Sequence, residues 1–223
     1  ADDPWWYRRL GIHPGGAPPG VVEPSGRRGA RRLPGSLSGV NVLEIGPADG
    51  YFTKQLALRG AKVTACDVLP KDRIGFAIME ALHGTPLDYR QINIYRLPEA
   101  GLPQYDIVLC LGVLYHLPDM VRALHNLRER CSGQLILETL VAMDLGTEPL
   151  ARYHPASSLN NDDTNFWSPS MACVEAMLTD AGFEVEDRQI FHRTEKDGRA
   201  CFWAKPTSAA RETIKTSKAY AGL

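Results

Sequence analysis

Residues able to do chemistry cluster first where Asn41-Val42-Leu43-Glu44-Ile45, a β-prone run, breaks into Gly46-Pro47-Ala48-Asp49-Gly50. Glycines let such a turn approach a ligand without side-chain obstruction. Pro47 removes a backbone donor that a phosphate would use. Glu44 and Asp49 make the turn acidic, so it repels pyrophosphate and suits a ligand carrying an amine and a sulfonium. Asp67 ends the next β-prone run, roughly 20 residues on, where its carboxylate can accept from the two hydroxyls of a ribose.

Two histidines stand where a base of near-neutral pKa would be useful. His116 follows the apolar run Tyr105 to Cys110, and His154 lies in Tyr153-His154-Pro155. His154 belongs to a long polar connection that also carries Asn160, Asn161, Asp162, Asp163, Asn165 and Trp167. So long a connection without evident structure reads as a functional loop. Asn161, Asp162 and Trp167 are its candidate substrate contacts, together with Trp6 and Tyr7 near the start of the chain. The bland reading of Trp5-Trp6-Tyr7 is a hydrophobic clip; the sharper one is a lid over the acceptor. Asp162, Asp163 and Asn165 offer oxygens to a hard cation, but they sit in one loop and not on several strand ends, so no metal is expected. No zinc-ligand spacing occurs either.

Elements that could position these groups alternate between strand and helix patterns. Strands are expected over Asn41–Ile45, Lys62–Asp67, Leu87–Ile92, Tyr105–Cys110 and Gln134–Val141. Helices are expected after Gly50 up to Gly60, over Lys71–Leu82, after the cap Asp119, and after Ser168 with Pro169 at its first position. Phe183–Ile190 and Arg199–Lys205 would close the chain as a hairpin around an Asp197-Gly198 turn. The alternation predicts an α/β fold, a doubly wound, Rossmann-like sheet of seven strands, mostly parallel, with an antiparallel last strand.

The 223 residues carry a net charge of −1 and are 44% hydrophobic, which excludes disorder over most of the length. No apolar stretch reaches the roughly 20 residues of a membrane helix, and no secretory signal pattern opens the sequence. The five cysteines are odd in number and form no CxxC pair, the pattern of buried thiols in a reducing, cytoplasmic protein. Residues 1–39 form a Pro/Gly/Arg-rich segment, 40–205 one domain, and 206–223 a polar tail. Arg27, Arg28, Arg31 and Arg32 could contact phosphates. A pI near 6.7 is low for a nucleic-acid-binding domain, where values above about 9 are common.

Val42-Leu43-Glu44-Ile45-Gly46-Pro47-Ala48-Asp49-Gly50-Tyr51-Phe52, Ala65-Cys66-Asp67 and Tyr105 to Leu117 resemble the motifs of class I S-adenosylmethionine (SAM)-dependent methyltransferases. Gly112-Val113-Leu114-Tyr115-His116-Leu117 and the stretch Phe166 to Phe183 are similar to the branch that contains wobble-uridine tRNA methyltransferases and related small-molecule enzymes. The resemblance implies SAM as cofactor and S-adenosylhomocysteine as product. It places Glu44, Gly46, Asp49 and Gly50 beside the methionine moiety and Asp67 on the ribose. Asn93 and Ile94 would flank the adenine, where the family often carries an acid; Leu111, Gly112 and Tyr115 would line the pocket near the sulfonium. The carboxy-SAM enzymes of that branch carry a Trp- and Lys-rich stretch before the first strand. Residues 24–40 have neither, so ordinary SAM and plain methyl transfer are expected, with His116 and His154 as candidate bases. The expected acceptor is a small molecule, methylated on oxygen ahead of nitrogen or carbon. The alternatives are tRNA of the wobble-uridine type and a SAM-binding protein without turnover; membrane partners are not expected, and the oligomeric state stays open.

Overall fold

The computed structural model describes residues 33–208. Trp6, Tyr7 and the four N-terminal arginines singled out above lie outside the described residues, as does most of the C-terminal tail. Seven strands form one sheet: β1 (Asn41–Ile45), β2 (Lys62–Asp67), β3 (Asp88–Gln91), β4 (Tyr105–Leu111), β5 (Cys131–Ala142), β8 (Phe183–Phe191) and β9 (Asp197–Pro206). Their spatial order is β3-β2-β1-β4-β5-β9-β8. The first five pair in parallel, and β9 runs antiparallel between β5 and β8. Order reverses between β1 and β4, which puts the ligand crevice of a doubly wound sheet at the carboxyl ends of those two strands.

Among the described residues four helices cover the sheet: α1 (Tyr51–Leu58), α2 (Phe76–His83), α3 (Met120–Arg130) and α4 (Met171–Asp180). Successive strand residues point to opposite faces, and β4 shows why its run is nearly all apolar. Val108 and Cys110 pack with Leu124, Leu127, Val174 and Leu178 on one face. Ile107 and Leu109 pack with Leu33, Leu37, Leu56 and Trp203 on the other. Four of the cysteines are buried, Cys173 is half-buried, and all five are free thiols.

Three elements depart from their expected bounds, each for a local reason. α2 begins at Phe76 and not at Lys71, because Gly75 adopts φ 81° immediately before it and breaks any helix arriving from Lys71. The cap of α4 is Ser170, whose Oγ accepts from Cys173 N at 3.1 Å. Ser168 and Pro169 are instead paired with Arg152 and Ala151 in a two-stranded ribbon, β6 (Ala151–Tyr153) and β7 (Trp167–Pro169). This ribbon gives the polar connection the order its sequence did not announce. Asp197-Gly198 is not a turn but the start of β9, paired with Ala142 and Val141 at the extended end of β5. Thr194 closes the turn instead: its Oγ1 accepts from Asp197 N at 2.9 Å. Asp119 caps α3 as expected, accepting from Arg122 N at 2.9 Å.

Leu109 is fully buried in the central strand of the sheet. Leu109→Ala should destabilise the protein by about 2–5 kcal/mol through lost burial and a residual cavity, read as a lower urea midpoint at unchanged slope.

Candidate active site

A cavity of about 1110 Å³ opens over the carboxyl ends of β1, β2 and β4. Its lining joins Glu44, Gly46, Asp49, Asp67, Asn93, Ile94, Leu111, Gly112 and Tyr115, nine of the ten residues expected to hold the cofactor. The tenth, Gly50, sits at the N-cap of α1 with φ 77°. The turn after β1 requires its glycines. Gly46 has φ 68°, and a Cβ there would lie 2.4 Å from Val113 Cγ2. A Cβ at Gly50 would lie 2.9 Å from the Phe76 ring. Gly46 N donates to Cys66 O at 2.9 Å, which ties the turn to the end of β2.

The electrostatics of this turn are set by buried acids. Glu44 and Asp49 are both almost fully buried. Burial, opposed by a hydrogen bond donated by Thr53 Oγ1 and reinforced by the neighbouring charge of Asp49, pushes the Glu44 carboxyl up to about 7. Asp67 is also raised by burial, against the hydrogen bond from Leu69 N at 3.0 Å. A cation placed here is attracted by all three groups, whereas a phosphate is repelled. Asn93 lines the cavity but turns its Oδ1 to Tyr95 N at 2.9 Å, capping the short 3-10 turn Ile94–Arg96.

Beyond Gly112 the cavity is lined by residues that come from four separate elements. His116 lies on the 3-10 turn Leu114–His116 after β4 and stacks on Tyr115 with ring centroids 4.0 Å apart. Its Nδ1 is 2.9 Å from Thr164 Oγ1 and 3.1 Å from Thr164 O. Burial lowers its pKa below the ordinary histidine value, so the ring is neutral at pH 7. Asp162, Thr164 and Asn165 reach the same wall from the loop between β6 and β7. Of the candidate substrate contacts, Asp162 lines the cavity, while Asn161 and Trp167 do not. Trp167 instead donates from Nε1 to Pro118 O at 3.1 Å and packs edge-on against Tyr153. His154 is not part of the lining either: its Nε2 is 2.7 Å from Ser168 Oγ within the ribbon, a contact that fixes β6 on β7.

One pair on the cavity wall went unseen in the sequence. Glu138 of β5 and Arg199 of β9 form a two-pronged ion pair, Nε to Oε1 at 2.5 Å and Nη2 to Oε2 at 2.6 Å. Glu138 is 1% exposed, and the Arg199 guanidinium lies 4.8 Å from the centroid of the Tyr115 ring. Glu138 stands in a run of apolar strand residues, and an acid in such a run was the available signal. Gly112 is needed beside them, since a Cβ there would lie 3.4 Å from Arg199 Nη2 on a backbone with φ 76°.

A doubly wound sheet with an acidic glycine turn, a carboxylate at the end of the second strand and a cavity between them is the arrangement of a class I SAM-dependent methyltransferase. A family model described as a methyltransferase domain matches residues 23–188, and the chain belongs to that family. The ubiquinone biosynthesis O-methyltransferase of Pseudomonas paraeruginosa is 32% identical over 161 residues, covering 68% of this chain and 67% of its own. The tRNA U34 carboxymethyltransferase of Campylobacter jejuni subsp. doylei is 30% identical over 153 residues, covering 67% of this chain and 51% of that protein, about half its length. The same fold is found in a 1,6-didemethyltoxoflavin-N1-methyltransferase of Burkholderia thailandensis with bound S-adenosylhomocysteine, at TM-score 0.60 and 20% identity over 77% of this chain and 72% of that one. Membership of the methyltransferase family makes SAM the cofactor and S-adenosylhomocysteine the product. Among the described residues no helix is long and apolar enough to cross a membrane.

Glu44 binds its proton more tightly in the folded chain than at its ordinary value of 4.5. The stability this confers is fully present below pH 4.5 and is lost as pH rises through about 7. Between those limits, ligand-free protein should lose about 3 kcal/mol more than Glu44→Gln, measured by urea unfolding across the pH range. Parallel pH curves for the two proteins would contradict the raised carboxyl.

Proposed function

We propose that this chain methylates a hydroxyl group of a small molecule, with His116 as the general base. When bound, SAM supplies a methyl group on a positively charged sulfur. The acidic turn after β1 would hold the cationic methionine end and Asp67 the ribose. The glycine at Gly112 then keeps the backbone low between that part of the cavity and the wall formed by Tyr115, His116, Glu138 and Arg199. The chain's own contributions are positioning, exclusion of water from a half-enclosed cavity, and a place for the proton. Orienting the two reacting groups can supply much of the acceleration in such a displacement.

The observation that carries this reading is the His116 imidazole on the wall of the cavity beyond the acidic turn, where burial lowers its pKa. Charge on the adjoining loop supports a small acceptor over RNA. Between Ala142 and Trp167 four carboxylates, Asp144, Glu148, Asp162 and Asp163, face a single cation, Arg152. Phosphates approaching the cavity from that side would be repelled. The kinship with an O-methyltransferase of ubiquinone biosynthesis agrees with oxygen as the acceptor atom. The kinship with the tRNA U34 enzyme favours the second reading, a tRNA uridine acceptor.

The test is incubation with methyl-labelled SAM and either a panel of small hydroxylated aromatics and hydroxy acids or bulk tRNA. Label is expected in a small-molecule ether and not in tRNA; label at a wobble uridine would replace the proposal with the second reading. His116→Gln should lower turnover of the accepted substrate by about 10²- to 10⁴-fold, with SAM affinity by calorimetry changed less than about twofold. Undiminished turnover would remove His116 as the base.

A further inference from the structure

The hydrogen bonds around His116 determine which of its two ring nitrogens carries the proton. Asp162 is held below the ordinary carboxylate range by the hydrogen bonds from Thr164, so it is ionised at neutral pH and can only accept. Its Oδ1 is 2.6 Å from Thr164 Oγ1 and 2.9 Å from Thr164 N. The hydroxyl of Thr164 has one hydrogen, and Asp162 takes it. Toward His116 Nδ1, at 2.9 Å, Thr164 Oγ1 therefore offers only a lone pair. The second neighbour of Nδ1, the Thr164 carbonyl oxygen at 3.1 Å, is also an acceptor. Both contacts are hydrogen bonds only if Nδ1 is the donor.

We infer that Asp162 and Thr164 are positioning residues that lock neutral His116 as its Nδ1–H tautomer, leaving Nε2 as a bare lone pair for the acceptor's hydroxyl proton. Among the described residues Nε2 has no hydrogen-bond partner, and the side chain forms part of the cavity wall. When the acceptor's O–H bond breaks, its electron pair stays on oxygen and the proton binds Nε2. The imidazolium that results keeps its Nδ1–H bonds to Thr164, and the charge of Asp162 favours it; the proton then leaves to solvent. Four groups face this ring: Asp162 and Thr164 from the loop, Arg199 from β9, whose charge disfavours the imidazolium, and the stacked Tyr115.

The inference deepens the reading of His116 as the base, and its test is independent of any acceptor. Long-range proton–nitrogen NMR on the full chain saturated with S-adenosylhomocysteine reports which ring nitrogen is protonated, with His116 identified by the signal lost in His116→Gln. The expected neutral form has Nδ1 protonated and Nε2 bare. In Asp162→Ala the Thr164 hydroxyl is released to donate to Nδ1. The Nε2–H tautomer should then rise several-fold and the imidazole pKa fall by about half a unit as the nearby charge is lost. Thr164→Ser keeps the hydroxyl and should retain both wild-type values. An Nε2–H ring in the wild type overturns the inference, and so does an Asp162→Ala ring with the wild-type tautomer ratio. If the tautomer is as stated while His116→Gln turns over normally, the lock stands and the base assignment falls.

Discussion

Carboxyl groups withdrawn from water at the end of β1 impose the constraint on which the rest of this structure depends. The charge on Asp49 is close enough to raise the cost of ionising Glu44, and both residues are nearly inaccessible to solvent. Burying negative charge is expensive, and it favours either uptake of a proton or the arrival of a cation. The fold accepts that cost where it can be relieved by ligand. Thr53, on the first turn of α1, donates to Glu44, and the glycines at 46 and 50 hold the backbone clear of Val113 and Phe76. A donor molecule with a sulfonium and an ammonium relieves this site, whereas a pyrophosphate would aggravate it. On this account the charge of the turn, and not the sheet that both kinds of protein share, would select a SAM-like over a dinucleotide-like ligand.

The opposite wall of the cavity solves its electrostatics internally. Glu138 and Arg199 close on each other and tie β5 to β9 directly below Gly112. Removing one partner of so buried a pair costs roughly 3–5 kcal/mol, because the other is left uncompensated. The pair is a rigid, overall neutral surface under the Tyr115 ring. The β6–β7 ribbon joins this wall to its loop. Phe166 N donates to Tyr115 O at 3.0 Å and Trp167 to Pro118 O, so the end of the segment carrying Asp162 and Thr164 is fastened to the chain on both sides of His116.

Much of the fold was legible in the sequence, as was the convergence of the glycine turn and Asp67 on one cavity, because both follow from local rules. The run Asn41–Ile45 and the glycine turn adjoin in sequence and Asp67 ends the next strand, so their placement follows from strand, turn and acid spacing. The helix cap Asp119 was readable for the same reason. What escaped were features made by distant pairings. Ser168 looks like a cap with proline behind it, but its hydroxyl is claimed by His154 and its backbone by β6. Asp197-Gly198 looks like a hairpin turn, but β5 runs long enough to draw it into the ladder. Glu138 and Arg199 stand 61 residues apart, and only the antiparallel register of β5 and β9 makes them partners. His154 was expected as a base because of its residue type and loop. The ribbon that removes it from the cavity is set by pairing that sequence spacing does not reveal.

The most direct measurement is a crystal structure of the full chain with S-adenosylhomocysteine. The account predicts ribose hydroxyls within hydrogen-bond distance of Asp67. It also predicts the amino acid end of the ligand over the turn from Glu44 to Gly50, and the sulfur directed past Gly112 toward His116. A ligand bound with its ribose elsewhere, or a crystal in which this turn stays empty at saturating ligand, would contradict it.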